Sequence, residues 1–188
     1  MRRLTLHAAV IGLLLVVFGA GSYAVAGGGK KSVKSEDMSG YLEAPSVSTV
    51  ASGKFKARID DANDMIHYEL SYEGLEGTVT QAHIHFAQRS VNGAIETWLC
   101  ETATNQNPLV TADTPTCPQS GTVTGTITPD EVNGQGPTPP GQGIAPGEFE
   151  ELVRAIRAGV TYANVHSSKF GGGEIRGQIN DRSRGDDD

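Results

Sequence analysis

Residues 161–179 read TYANVHSSKFGGGEIRGQI, two short segments of strand character on either side of a glycine-rich turn. In the first segment Asn164 and His166 alternate with Ala163 and Val165. Because successive side chains of a strand point to opposite faces of a sheet, one face of this strand is polar and the other is apolar. The stretch therefore predicts a hairpin of two strands whose apolar face packs on a core.

Similar alternation recurs along the chain and predicts an all-β domain. Of the 188 residues, 24 are glycine and 9 are proline, and only 37% are hydrophobic. Glycine and proline are residues that turns require, so this composition favours many short strands over a helical bundle. We expect a β-sandwich or β-barrel. Further strands are predicted at 54–59, 66–72, 78–87, 95–99 and 121–128.

One helix is predicted, at about 147–158. The apolar residues Phe149, Leu152, Val153 and Ile156 follow the spacing i, i+3, i+4 and i+7, which places them in one stripe of a helix. An apolar stripe of this kind faces a core by default, so we expect the helix to cover the sheet.

The first 26 residues have the features of a signal peptide. Two arginines precede an almost unbroken apolar stretch at 8–18, and the sequence AVA at 24–26 has the small-x-small pattern that signal peptidase recognises. An uncleaved anchor helix is the alternative, because an apolar run of about 20 residues spans a bilayer. Cleavage predicts a periplasmic or secreted protein with no remaining membrane span.

The rest of the chain divides into three parts. Residues 27–40 read GGGKKSVKSEDMSG and predict a flexible leader, because glycine and mixed polar residues dominate. Residues 41–180 contain the predicted strands and helix and make up the β-domain. The charged tail at 181–188 is expected to be disordered.

Cys100 and Cys117 are the only cysteines of the chain, and they flank a stretch rich in asparagine, threonine and proline. In an exported protein, two cysteines around a turn-rich loop predict one disulfide. A redox-active or metal-binding pair is the alternative, but such pairs favour a C-x-x-C spacing that this chain lacks.

Charge and motifs exclude several classes of protein. The formal net charge is −7, and a nucleic-acid partner requires a basic surface. The sequence contains neither the G-x-S-x-G motif of a nucleophile elbow nor a phosphate-binding P-loop. No catalytic residue is therefore predicted, which favours a protein that is not an enzyme and leaves the question open.

The histidines are the strongest candidates for chemistry. His83 and His85 point to the same face of a predicted strand, about 7 Å apart at the backbone, which is within reach of one ion. His166 lies on the polar face of the strand at 161–167. If these strands are neighbours, the three imidazoles converge into a site for copper or zinc, which nitrogen ligands of this kind suit. His67 is a more distant candidate.

A polar network without an ion is the alternative. The histidines can form hydrogen bonds with one another and with Asn164, Glu174 and Arg176, and so fix the strand register. Glu174 and Arg176 share one strand face, so a charged pair is expected across it. Both interpretations stay open at this point.

Three stretches resemble CHRD domains, the modules named for the repeats of chordin. The stretches are LSYEGLEGTVTQAHIHFA at 70–87, TVTGTITPDEV at 122–132 and GVTYANVHSSKFGGGEIRGQI at 159–179. The last is the most specific, and the resemblance extends over roughly residues 40–180, nearly all of the chain after the signal peptide, with the stretches in sequence order. One departure is Phe170-Gly171, where the family has a proline and a single glycine.

The resemblance implies an extracellular domain with an immunoglobulin-like or superoxide-dismutase-like β-sandwich or barrel. It implies no catalytic role, because the family has no established biochemical function. Bacterial members often carry a cysteine pair at the positions of Cys100 and Cys117. The family pattern falls on His83, His85, Asn164, His166, Gly173, Glu174, Arg176 and Gly177.

The sequence is compatible with two functions. The first is an exported binding or structural module with an unidentified extracellular or periplasmic partner. The alternative is a mononuclear copper or zinc protein, with or without redox activity, whose ligands are His83, His85 and His166.

Overall fold

A computed structural model gives the fold and describes residues 31–35, 37–108, 113–134 and 141–179. The predicted signal peptide at 1–26 and the predicted tail at 181–188 lie outside the described residues.

The described residues form nine strands and one α-helix, α1, at Phe149–Arg157. The strands are β1 Ser32–Lys34, β2 Met38–Ser39, β3 Ser52–Asp60, β4 Met65–Glu73, β5 Val79–Phe86, β6 Ala94–Cys100, β7 Gly121–Ile127, β8 Thr161–Ser167 and β9 Ile175–Ile179.

All strand pairs are antiparallel, and the strands form one sheet in the order β6-β5-β8-β9-β2-β3-β4-β7, with β1 paired to β3. The two end strands, β6 and β7, lie against each other, so the sheet is nearly closed. The hydroxyl of Tyr68 on β4 donates a hydrogen bond of 2.6 Å to the carbonyl of Leu99 on β6 and so crosses the interior. The prediction of an all-β, barrel-like domain with one helix is confirmed.

The interior of the sheet is apolar, and α1 packs against it. Phe149, Leu152, Val153 and Ile156 are all buried in the hydrophobic core, as their spacing predicted. The helix is shorter than the predicted 147–158, because Gly147 has a φ of +83° and Glu148 also has a non-helical backbone.

Of the flexible leader predicted at 27–40, residues 27–30 and 36 lie outside the described residues, and the structure corrects the prediction for the part that it describes. Residues Ser32–Lys34 and Met38–Ser39 are the strands β1 and β2, and both pair with β3. Val33 and Met38 are buried and anchor these short strands in the core, although polar residues surround them in the sequence. The ordered sheet therefore begins before residue 41.

The predicted disulfide between Cys100 and Cys117 is present. It joins the end of β6 to the segment that precedes β7, and both cysteines are buried in the core. Within the described ranges, no helix combines the length and the apolar character that crossing a membrane requires.

The outer face of β5, β8 and β9 is polar and nevertheless buried. The loops at 40–49, 87–93 and 168–174 cover this face and contact its side chains. A hydrogen bond of 2.7 Å from Asn92 Nδ2 to the carbonyl of Ala44 joins two of these loops. The buried polar residues of this face include His83, His85, Asn164, His166, Arg176 and Gln178.

Candidate metal centre

The three histidines predicted as metal ligands come together on the buried outer face. His83 and His85 lie on β5 and His166 lies on the neighbouring strand β8, where it pairs with Gln81. One ring nitrogen from each histidine lies within 4.8 Å of the others. Their exposed fractions are 0%, 8% and 6%, so the cluster is almost fully shielded from solvent.

Two backbone carbonyls orient two of the rings. Nδ1 of His85 lies 3.0 Å from the carbonyl oxygen of Gly93, and Nδ1 of His166 lies 2.9 Å from that of Gly171. A carbonyl oxygen only accepts hydrogen bonds, so each Nδ1 carries a proton, and a neutral ring then has its lone pair on Nε2. Both rings therefore present Nε2 as an acceptor.

The His83 ring contacts the His166 ring directly. Nδ1 of His83 lies 3.2 Å from Nε2 of His166, which carries a lone pair. His83 therefore donates from Nδ1 in the absence of an ion, and its Nε2 also carries a lone pair.

Two acceptors of the cluster are left without a donor, because two of its three N–H groups donate to backbone carbonyls. Nε2 of His83 and Nε2 of His85 are buried and have no hydrogen-bond partner in the described part of the chain. A buried acceptor without a partner is costly, by about 1–3 kcal/mol. Such an arrangement suits a cation, which would bind these lone pairs.

Burial keeps the three imidazoles neutral. It lowers the pKa of His83 well below its ordinary value, and the nearby rings of His166 and His85 lower it further. Burial lowers the pKa of His85 to about 4, although the bond to Gly93 acts in the opposite direction. The pKa of His166 is also lowered by burial. At neutral pH none of these rings has to lose a proton before it binds a metal.

Two aromatic side chains pack on the cluster. Tyr162, opposite His85 in the strand register, stacks on the His85 ring with centroids 4.7 Å apart and an interplanar angle of 2°. The ring centres of Trp98 and His83 are 4.3 Å apart, and the two rings are nearly perpendicular, at 82°. Sequence periodicity places Tyr162 on the correct face, but its contact with His85 depends on how β5 and β8 pair.

Asn164 and Glu43 form a hydrogen bond beside the histidines. Asn164 Nδ2 donates to Glu43 Oε1 at 3.0 Å, and both side chains are buried. Burial raises the pKa of Glu43 to about 7, while Asn164 and the charge of Arg176 act in the opposite direction. Glu43 was not predicted as a site residue, because it lies in a loop that has no periodic pattern.

Glu174 and Arg176, predicted to form a charged pair, contact different partners. Glu174 Oε1 accepts hydrogen bonds from the Thr49 hydroxyl at 2.8 Å and from the backbone N–H of Glu76 at 2.7 Å. The guanidinium of Arg176 lies 3.4 Å from the centre of the Tyr162 ring. Each residue thus holds a different covering loop.

Arg176 also holds the loop at 87–93. It donates to the carbonyl oxygens of Gln88 at 3.2 Å and Val91 at 2.8 Å. Its side chain is only 1% exposed, so the loop is attached to a buried cation.

His67, the more distant candidate ligand, lies elsewhere in the sheet. Its Nδ1 is 3.1 Å from the hydroxyl oxygen of Thr126 on β7. Among the described residues, the histidine group that could hold an ion contains His83, His85 and His166 and does not include His67.

The sequence of the chain matches a known protein family. No curated protein matches the chain significantly, and no solved structure does. The sequence matches the CHRD domain family over residues 35–179, which is most of the chain and begins within the segment predicted as a leader. The chain therefore belongs to the CHRD domain family.

Proposed function

We propose that this CHRD domain binds one copper or zinc ion through His83, His85 and His166. One observation carries the proposal: three buried, neutral imidazoles have ring nitrogens within 4.8 Å of one another, and two of these rings have an unpaired buried Nε2. Imidazole nitrogen is a ligand that copper and zinc both accept.

The spacing of the rings supports this proposal. Two nitrogen ligands at about 2.0 Å from a tetrahedral ion lie about 3.3 Å apart. Nδ1 of His83 and Nε2 of His166 are 3.2 Å apart, which is the separation of two such ligands, so binding through this pair requires only that the His83 proton move from Nδ1 to Nε2. The widest separation, 4.8 Å, has to shorten by about 1.5 Å, a change that ring rotation can supply.

The hydrogen bonds around the rings support it further. Metal-bound histidines usually donate their second N–H to a carbonyl or carboxylate, which fixes the tautomer and the ring orientation. His85 and His166 already do so, to Gly93 and Gly171. Both therefore need no change of tautomer to bind an ion through Nε2.

The second candidate function is an ion-free binding or structural module. The hydrogen bond between His83 and His166 favours it, because this bond joins β5 to β8 without an ion. In that case the cluster serves to fix the register of the two strands, and the partner of the module is a separate molecule of unidentified chemistry.

We also propose that the protein acts outside the cytoplasm, in the periplasm or as a secreted protein. Its disulfide supports this location, because disulfides persist in oxidising compartments. The signal-peptide features of residues 1–26 support it independently.

Elemental analysis of the natively exported, purified protein tests the metal site. We expect close to one copper or zinc per chain in the wild type and in the control His67→Ala. The double variant His83→Ala/His85→Ala should contain neither metal. A wild-type protein that is metal-free, fully stable and unable to take up either ion on dialysis would leave the ion-free module as the function.

A further inference from the structure

Three histidines leave one position of a tetrahedral ion to be filled. Catalytic zinc sites keep that position for water, whereas structural sites fill it with a fourth protein ligand. We propose, as an extension of the proposed metal site, that the side-chain oxygen Oδ1 of Asn164 is the fourth donor and that Glu43 positions it. The site is then closed, with three nitrogen donors and one oxygen donor.

Asn164 lies on the same buried strand face as the three histidines. It is on β8, two residues before His166, and its Cα pairs directly with that of His83 on β5. Because strand side chains repeat every two residues, Asn164 and His166 share one face. The side chain is only 2% exposed, so the amide is buried on the face that carries the three rings.

The bond to Glu43 determines which way the amide points. Asn164 Nδ2 donates to Glu43 Oε1 at 3.0 Å, which directs the nitrogen to the carboxyl group and the oxygen away from it. Oδ1 is buried and has no hydrogen-bond partner among the described residues. It is thus an unpaired buried acceptor on the same face as His83 and His85, each of which has an unpaired Nε2.

Gly173 provides the room for this bond. A Cβ at Gly173 would lie 2.2 Å from Asn164 Nδ2 and 2.5 Å from Glu43 Oε1. The φ of Gly173 is +125°, a conformation that other residues rarely adopt. The turn between β8 and β9 thus passes directly over the Asn164–Glu43 bond.

The fourth donor has consequences for the choice of ion. An amide oxygen is a harder donor than imidazole nitrogen, so it favours Zn²⁺ or Cu²⁺ over Cu⁺. A position filled by the protein also admits no exogenous small ligand. The ion would then serve to hold β5, β8 and the covering loops together.

Azide binding to the Cu²⁺-loaded full chain tests this inference. Azide that enters an open copper position produces a charge-transfer absorption band. We expect no such band for the wild type and a saturable band for Asn164→Ala, because the variant opens the position. Gln178→Ala is the matched control, since it removes another buried amide from the same face and should give no band.

Two further variants keep the test decisive if Asn164→Ala does not fold. Asn164→Asp retains an oxygen donor and adds charge, so it should exclude azide and shift the visible copper spectrum. Glu43→Ala should weaken copper binding by about 10-fold or more, as loss of an outer-shell partner does.

The possible failures can be told apart. A chain that takes up no copper refutes the metal site, and this inference with it, before azide is added. A loaded wild type that binds azide as well as Asn164→Ala does would overturn the inference alone. So would an Asn164→Asp spectrum identical to that of the wild type.

Discussion

The backbone of Gly173 lies so close to Asn164 that a β-carbon at this position would be 2.2 Å from the amide nitrogen Nδ2. The same β-carbon would also approach Oε1 of Glu43 to 2.5 Å. The conformation of this one turn residue is therefore linked to the hydrogen bond that orients the Asn164 side chain.

Replacement of this glycine should damage both the fold and the site. We expect Gly173→Ala to lower the free energy of unfolding by at least about 2 kcal/mol, because it adds a clash to an unfavourable φ. Urea unfolding and copper uptake measure the two effects. Gly172→Ala is the control, since a Cβ there meets nothing within 4 Å. Equal effects of the two substitutions would contradict the role given to Gly173.

The buried histidines predict a loss of stability in acid. The unfolded imidazoles take up protons near pH 6.5, whereas the folded His85 does so only at about 4. Stability from this residue is thus complete above pH 6.5 and is lost as the pH falls toward 4, by on the order of 3 kcal/mol. Unfolding of the metal-free protein across this range measures the loss. If His85→Gln leaves the slope of unfolding free energy against pH unchanged, the prediction is wrong.

Glu43 predicts a pH dependence of opposite sign. Its pKa is raised from 4.5 to about 7 in the folded protein, so its contribution to stability is complete below pH 4.5 and is lost as the pH rises to 7. Glu43→Gln, which stays neutral, should gain stability relative to the wild type across that range, by about 3 kcal/mol. The comparison requires unfolding curves of both proteins at pH 5 and pH 8. If the two proteins differ in unfolding free energy by the same amount at pH 5 and pH 8, the raised pKa of Glu43 is contradicted.

Arg176 should tolerate no conservative replacement. Its guanidinium packs on Tyr162 and donates to the carbonyl oxygens of Gln88 and Val91, and an ammonium group cannot do both. We expect Arg176→Lys to lower the free energy of unfolding by about 2–4 kcal/mol and to speed amide hydrogen exchange at 88–93.

The exposed Arg154 on α1 provides a matched control for Arg176. It forms surface ion pairs with Glu150 and Glu151, so Arg154→Lys should change stability by less than about 0.5 kcal/mol. Normal exchange at 88–93 in Arg176→Lys would show that this loop is held by other contacts.

The faces of the strands could be predicted from the sequence, but the contacts between strands could not. A period of two was enough to place His83 and His85 together and Asn164 beside His166. Their mutual distances depend on the pairing of β5 with β8, whose register shifts between Val79 and Gln81. Such an irregularity arises from non-local packing and has no local sequence signal.

The contacts of loop residues could not be predicted from the sequence either. Glu43 reaches Asn164 across 121 positions of the chain, and no periodic pattern marks a residue in a turn. The short strands β1 and β2 were missed for a related reason, because Val33 and Met38 stand alone among polar residues. Their burial depends on pairing with β3, which lies further along the chain.

Fluorescence of Trp98 during titration with Cu²⁺ tests the metal site most directly. Trp98 is the only tryptophan of the chain, and its ring centre lies 4.3 Å from that of His83. Because bound Cu²⁺ quenches a nearby indole, we predict saturable quenching that ends at one copper per chain in the wild type and is lost in His85→Gln/His166→Gln. Quenching that never saturates, or that is the same in the double variant, would contradict a copper site at these histidines.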